Sequence, residues 1–285
     1  TALYAAIDNE KFENVRILLA QKNIDVKFKF KCYIQNKLNR EISMLERAVS
    51  NKNLDVLQLL LNDKRFDVNE KVSVRSWNGD KDVLDEEKIK ETKLIHQEEN
   101  NERSGSSTIY SSNKKISILH YALYFYNIDA VKVKLLLGNE NIDVNAYSFL
   151  KGYEHTLTSS GGENETKKLE EKTPLYFAVE RENYEIVKLF VDHKNIDINK
   201  KSMIYIWQNI ISSDNEEEEK YEKGVKEIDK EETALHLAVE KGNINIIELL
   251  LSHKSIDVNI TDKQGRKPIE LAHKEEIISL FNLLT

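Results

Sequence analysis

One segment recurs five times along this chain of 285 residues, and the repetition limits the possible folds more than any other feature. Each copy opens on a serine or threonine, carries two apolar runs, and ends in Ile-Asp-Val-Asn or a close variant. The copies occupy residues 1–27, 43–69, 117–145, 173–199 and 233–259, and a shorter sixth copy occupies 267–285. Self-similarity at this interval indicates a stack of small repeated units rather than a globular domain with a single centre.

Each copy predicts two short helices packed back to back. In the fifth copy, Thr233 is a residue type that caps a helix by accepting a backbone N–H bond. Leu235, Ala238 and Val239 follow at helical spacing, and the run IIELLL from Ile246 forms a second, more apolar helix. Because helices of about two turns cannot bury their apolar faces alone, the copies must stack into a solenoid.

The residues of the fifth copy resemble the ankyrin repeat. Thr233, Leu235, His236 and Ala238 match its opening motif, and the Asp-Val-Asn ending from Asp257 matches its loop. The resemblance implies an all-α repeat solenoid of stacked helix-turn-helix units, closed by a capping repeat at 267–285. We expect the chain to be a fragment of a longer protein, since Thr1 opens directly on a helix cap without a methionine.

Long inserts between the copies depart from that family pattern. They span residues 28–42, 70–116, 146–172 and 200–232. Each begins with alternating apolar and polar residues, as in EKVSVRSW from Glu70 and KKSMIYIW from Lys200, which is typical of a strand. We therefore predict elongated β-hairpin fingers. Residues 85–99 have the spacing of a surface helix, and residues 214–219 form an acidic run suited either to a basic partner or to solvent.

Aromatic residues recur at one position of these fingers. Trp77, Tyr153 and Trp207 all lie eight residues beyond the end of a copy. One interpretation makes Trp77 and Trp207 anchors for a binding partner, because tryptophan is enriched at interface hot spots. The other interpretation is that these rings pack together and stabilise the hairpins, which need an apolar face.

Composition narrows the classes of function. The net charge of −7 and the lack of a dense basic stripe argue against nucleic acid as a partner, and no apolar run is long enough for membrane insertion. Cys32 is the single cysteine, so an internal disulfide is excluded and a reducing, cytoplasmic compartment is expected. No catalytic or metal-binding motif is present, and we expect neither enzymatic activity nor a cofactor or metal.

Two sets of residues have roles that the resemblance implies. His120 and His236 occupy the histidine position of the opening motif, where the imidazole hydrogen-bonds across neighbouring turns of the repeat. Asn69, Asn145, Asn199 and Asn259 occupy the loop position that is hydroxylated in some family members. The alternative for these asparagines is a turn residue that hydrogen-bonds its own backbone.

The resemblance also implies a concave binding face, made by the fingers and the ends of the first helices. The residues that fall there include Glu180, Arg181, Glu240 and Lys241. In the third copy the same positions are Tyr124 and Phe125, followed by Tyr126, so this aromatic cluster either binds a partner or is covered by neighbouring inserts. We predict a protein–protein interaction module with an unidentified protein partner and an undetermined oligomeric state. The alternative is a regulatory or targeting region of a larger enzyme or channel.

Overall fold

The computed structural model describes residues 1–34, 37–77, 108–124, 129–157, 163–211 and 227–284. Within them the first five copies each form two consecutive antiparallel helices. The pairs are α1 (Ala2–Asp8) with α2 (Phe12–Leu19), α3 (Met44–Ser50) with α4 (Leu54–Asn62), α5 (Ile118–Tyr124) with α6 (Ala130–Leu137), α7 (Pro174–Glu180) with α8 (Tyr184–Val191), and α9 (Ala234–Lys241) with α10 (Ile244–Leu251). A 3₁₀ helix at Pro268–Leu271 and α11 (Glu275–Leu284) follow the fifth pair.

Side-chain caps fix where the helices begin. The first helices start after Thr1, Ser43, Thr173 and Thr233, and each of these hydroxyls accepts a bond from the backbone N–H three residues later. The second helices start after Asn53, Asp129, Asn183 and Asn243, whose side-chain oxygens do the same. Caps of this kind stabilise a helix by about 1 kcal/mol each, which matters for helices of two turns.

The core runs along the stack between neighbouring helix pairs. A column of small residues, with Ala48, Ala178 and Ala238 fully buried, lets the first helices approach one another closely. Leu60, Phe190 and Leu250 are equally buried in the second helices. Among the described residues, one apolar cluster extends from Leu3 to Phe281, so each repeat is stabilised by its neighbours rather than by itself.

The inserts form strands that pair as antiparallel hairpins. β1 (Phe30–Ile34) pairs with β2 (Lys37–Ile42) as a separate two-stranded sheet. The other six strands are β3 (Lys71–Trp77), β4 (Thr108–Ser117), β5 (Ser148–Leu157), β6 (Glu163–Lys172), β7 (Ser202–Ile211) and β8 (Glu227–Glu232).

These six strands join into one antiparallel sheet in the order β3-β4-β5-β6-β7-β8. The all-α description is therefore too narrow, and the fingers are not independent hairpins. The reason is geometric, because packed helices stack about 8–10 Å apart and two strands together occupy about 9.6 Å. Stacking of the repeats thus places neighbouring hairpins at strand-pairing distance.

The loop asparagines bridge neighbouring repeats. Asn145 Nδ2 donates to Asn195 O at 2.8 Å, and Asn145 Oδ1 accepts from Asp197 N at 2.9 Å. Asn69 and Asn199 make the same pair of bonds to the repeat that follows each of them. The interpretation of these residues as ones that hydrogen-bond their own backbone is therefore wrong for these three. The aspartate two positions before each of the four loop asparagines takes that role: Asp67, Asp143, Asp197 and Asp257.

A second set of side chains caps the ends of the second helices from the next repeat. Arg65 Nη2 donates to Leu19 O at 2.6 Å, and Asn139 Nδ2 donates to Leu61 O at 2.8 Å. His193 Nε2 lies 3.2 Å from Leu137 O. Each of these contacts satisfies a carbonyl that the helix itself leaves without a partner.

Candidate functional site

The returning strand of each hairpin leads directly into the first helix of the next repeat, and the hairpin and that helix meet there. β6 ends at Lys172 and α7 begins two residues later, while β8 ends at Glu232 and α9 begins two residues later. We call the surface formed by Lys172, Glu180, Lys230, Glu240 and Lys241 the helix–hairpin corner. It holds three of the residues predicted to bind a partner.

Lys172 joins the hairpin to the helix in the fourth repeat. Its side chain is only 4% exposed, and its Nζ lies 2.9 Å from Glu170 Oε2 and 2.7 Å from Glu180 Oε1. A buried ammonium needs such partners, because its desolvation is otherwise too costly. Burial alone would raise the pKa of Glu170, but the charges of Lys172 and Lys168 outweigh it and lower that pKa.

The fifth repeat has an equivalent contact built from different positions. Lys230 Nζ lies 2.9 Å from Glu240 Oε2 and 3.8 Å from Glu232 Oε1. The Tyr176 hydroxyl, from the preceding repeat, donates to Glu232 Oε1 at 2.6 Å. Burial is the main reason that the pKa values of Glu232 and Tyr176 are both raised. A charged contact thus links strand to helix in both repeats.

The two basic residues predicted for this face also have partners within the chain. The Arg181 guanidinium lies 5.2 Å from the centroid of the Phe177 ring. Lys241 Nζ lies 3.1 Å from Glu182 Oε1, which joins the fourth repeat to the fifth. Glu182 has a φ of 53°, and the hydrogen bonds from Lys241 and Asn243 lower its pKa.

The aromatic candidates of the third repeat are described only in part. Tyr124 is the last residue of α5 and is half-buried, packed against the apolar core. Phe125 and Tyr126 lie outside the described residues, as do the predicted surface helix at 85–99 and the acidic run at 214–219.

The tryptophans are placed by the register of the sheet, while their side chains lie outside the described set. Trp77 pairs with Ser111, Ser111 with Tyr153, Tyr153 with Lys167, and Lys167 with Trp207, all in one cross-strand row. In β7, Ser202 and Ile204 are buried.

The two motif histidines are buried and hydrogen-bonded. His120 Nδ1 lies 2.7 Å from Ser117 Oγ, and its Nε2 lies 3.0 Å from Lys172 O. His236 makes the corresponding contacts to Thr233 Oγ1 at 2.8 Å and Arg266 O at 3.0 Å. Burial lowers the pKa of His120 to about 3, so its imidazole is neutral and acts as a bridge between cap and strand.

Sequence reasoning missed Lys172, Lys230 and Glu182. The signal available was the placement of Lys172 directly before the cap residue Thr173, eight residues ahead of Glu180. That spacing becomes a contact only when the strand turns sharply into the helix.

In the part of the chain that the structure describes, no group of three or more His, Cys, Asp or Glu side chains is arranged to hold a metal ion. None of the helices in that part is long and apolar enough to cross a bilayer.

Comparison with protein families agrees with the architecture. A family model described as ankyrin repeats, in three copies, matches residues 90–202 and 208–285. A crystal structure of EF0377, an ankyrin repeat protein, is similar over 99% of this chain and 96% of that chain, with 16% identity and a TM-score of 0.49. No curated protein sequence matches the chain. Because the family model covers more than half of its length, the chain belongs to the ankyrin repeat family.

Proposed function

We propose that this chain is a protein–protein interaction module that binds a protein partner on the face made by the helix–hairpin corner and the adjoining strands. Ankyrin repeats generally mediate interactions between proteins. The observation that carries the proposal is the pair of contacts Lys172–Glu180 and Lys230–Glu240, which hold charged side chains in place on two successive repeats.

Fixed charges favour binding because less side-chain freedom is lost when the partner arrives. Lys241 and Glu182 link the same two repeats, so the charged groups form a row across the stack. Glu240 and Arg181 remain exposed beside their internal partners, so the Glu240 carboxylate can accept further hydrogen bonds and the Arg181 guanidinium can donate them. In this proposal the partner presents basic groups to Glu180 and Glu240 and an acidic group to Arg181.

Aromatic side chains supply the apolar part of the proposed face. Tyr124 ends α5, in the repeat before the charged row, and Phe125 and Tyr126 follow it in sequence. Trp77 and Trp207 are secondary candidates, since their row lies farther out along the hairpins. The proposal assigns no catalytic residue and no cofactor to the chain, and it places the interaction in the cytoplasm.

The experiment compares two sets of four alanine substitutions. The first set is Glu180→Ala, Arg181→Ala, Glu240→Ala and Lys241→Ala. The control set is Glu185→Ala, Lys188→Ala, Glu248→Ala and Lys254→Ala, which removes the same charges from exposed positions on the second helices and the loop after them. Partners captured from native-cell lysate by the wild-type chain are identified, and their affinities are then measured with purified proteins.

We expect the first set to weaken binding by about tenfold or more and the control set to leave the affinity unchanged. Circular dichroism checks that both variants are folded. Equal affinity of all three proteins for the same partner would contradict the proposed face.

A further inference from the structure

The six-stranded sheet has two faces of different character. Val72, Ile116 and Ile204 are buried on one of them, which we call the inner face. Successive strand residues alternate between faces, so the residues next to these three belong to the outer face. One cross-strand row on the outer face crosses all six strands and consists of Ser73, Lys115, Phe149, Glu171, Met203 and Glu231.

Charge on the outer face is divided between its two ends. Lys71 and Lys115 lie exposed on β3 and β4, whereas Glu171 and Glu231 lie partly exposed on β6 and β8. Lys115 and Glu171 take part in no ion pair within the described part of the chain. Glu231 Oε1 lies 3.4 Å from Lys201 Nζ, so its charge is balanced in part. The outer face is therefore basic at one end and acidic at the other.

The acidic end acts on the tyrosine rings beside it. Burial raises the pKa of Tyr205, and the charges of Glu171 and Glu231 raise it further. The same two carboxylates act in the same sense on the pKa of Tyr147. Negative charge at this end is thus not cancelled within the chain, and a cation from outside would find a favourable position there.

Apolar side chains lie between the charged ends. Phe149 and Met203 are the members of the row on β5 and β7, and both are partly exposed. Lys71 Nζ lies 4.5 Å from the centroid of the Phe149 ring, and the Tyr205 hydroxyl donates to Met203 Sδ at 3.4 Å. The outer face therefore offers apolar surface that a second sheet packed against it can bury.

The outer face is large enough for a stable contact. Its four central strands, β4 to β7, have ten residues each, and the two edge strands are shorter. At about 3.3 Å per residue and about 4.8 Å per strand, the face measures about 800 Å². A specific interface of ordinary size buries about 800 Å² on each partner.

We propose that the outer faces of two copies of this chain pack against each other about a two-fold axis parallel to the strands. This axis places β3 of each copy opposite β8 of the other, and β4 opposite β7. Lys71 then faces Glu231 of the second copy, and Lys115 lies beside that copy's Glu171. Each pair forms twice because the contact is two-fold. An axis across the strands would instead place like charges opposite each other, which is unfavourable.

The helix–hairpin corner stays open in this dimer. Lys230 is the cross-strand partner of buried Ile204, and Lys172 follows Glu171 directly, so both lysines belong to the inner face. The dimer therefore presents two copies of the face proposed to bind a partner, and a partner with two binding segments would be held more tightly than by one copy. The contact between outer faces does not depend on that function.

The test uses reversals of two charges that have no ion partner within the described part of the chain. The variants are Lys115→Glu, Glu171→Lys and the double variant with both changes. Lys188→Glu and Glu185→Lys are the controls, because they make the same changes of charge at exposed positions of α8. Light scattering measures the mean mass over a hundredfold concentration range, at about 0.05 and 0.5 M salt. Circular dichroism checks that each protein is folded.

We expect the wild type and both controls to reach the mass of two chains, with weaker association at the higher salt. Each single reversal weakens association at least tenfold, because it places two like-charged pairs across the interface. The double variant associates more tightly than either single variant, since the pair of positions 115 and 171 is then complementary again. A wild type that stays monomeric, mass that grows beyond two chains, single variants that associate like the wild type, or a double variant no tighter than the single ones would each overturn the proposal.

Discussion

Lys172 and Glu180 join the end of β6 to the end of α7, with the ammonium nitrogen 2.7 Å from the carboxylate oxygen. The lysine is almost wholly buried and also contacts Glu170 on its own strand, while Glu180 is partly open to solvent. The contact therefore fixes the angle at which the hairpin leaves the helix, and with it the face proposed to bind a partner.

Replacing this lysine should destabilise the fold. Lys172→Met keeps the length of the side chain but leaves two carboxylates without their shared cation. We expect the free energy of unfolding to fall by about 2 kcal/mol, less than for a fully buried pair because Glu180 is partly solvated. Urea denaturation measures the change, with Lys188→Met on the exposed face of α8 as the control. A loss no larger than that of the control would show that the pair does not hold the corner together.

Acid should destabilise the protein through His120. Its pKa is about 3 in the fold because of burial, whereas an unfolded chain has the ordinary value near 6.5. Between those values the unfolded state binds the extra proton, so stability falls as pH drops from about 6.5 and is greatest above it.

His120→Gln tests this assignment. Glutamine cannot titrate, so the variant should be less stable than the wild type at pH 7 but lose less stability between pH 6.5 and 4.5. Urea midpoints measured across that range give the slope for each protein. Parallel slopes for the two proteins would rule out His120 as a major source of the acid sensitivity.

Removing one bridging asparagine should weaken the coupling between repeats. Asn145→Ala deletes the bonds to Asn195 O and Asp197 N, and each such bond contributes about 1 kcal/mol or less at an exposed site. We expect a loss of about 1 kcal/mol in thermal or urea unfolding. Asn195→Ala is the matched control, since the carbonyl that accepts the bond is retained. If only Asn195→Ala lowered the free energy of unfolding, contacts of the loop other than the Asn145 bonds would be the stabilising ones.

Glu182 combines backbone strain with an ion pair, and salt should separate the two. Its φ of 53° is unfavourable for a side chain, while Gly242 occupies the same position in the next repeat with a φ of 69°. Glu182→Gly should therefore raise the free energy of unfolding by about 0.5 kcal/mol at high salt, where the contact to Lys241 is screened.

At low salt the gain should shrink or vanish, because the ion pair then contributes more to the wild type. The matched change is Gly242→Ala, which should destabilise the fold by about 1 kcal/mol at either salt concentration. A salt-independent effect of Glu182→Gly would mean that the pair with Lys241 contributes nothing.

Much of the architecture could be predicted because its determinants are local. Thr173 and Asn183 cap helices within three residues of themselves, and the alternation from Lys200 gives β7 without reference to any other segment. Because such patterns recur in five copies, the predicted helices and strands do not depend on a chance match in any single copy.

The contacts that position the candidate surface are non-local, and the sequence does not contain their geometry. Pairing of β4 with β5 depends on the spacing between stacked repeats, and the bond from Tyr176 to Glu232 joins residues of two repeats. The bridging role of Asn145 also depends on the neighbouring loop, so a turn residue was the natural but incorrect local interpretation.

Site-specific photo-crosslinking tests the central claim most directly. A photoreactive phenylalanine analogue is placed at Arg181 in one protein and at Lys188 in another, so that one probe lies at the end of a first helix and the other on a second helix. We predict that the captured partner crosslinks from position 181 and not from position 188. Crosslinking from position 188 alone would place the partner on the opposite side of the repeats and contradict the account.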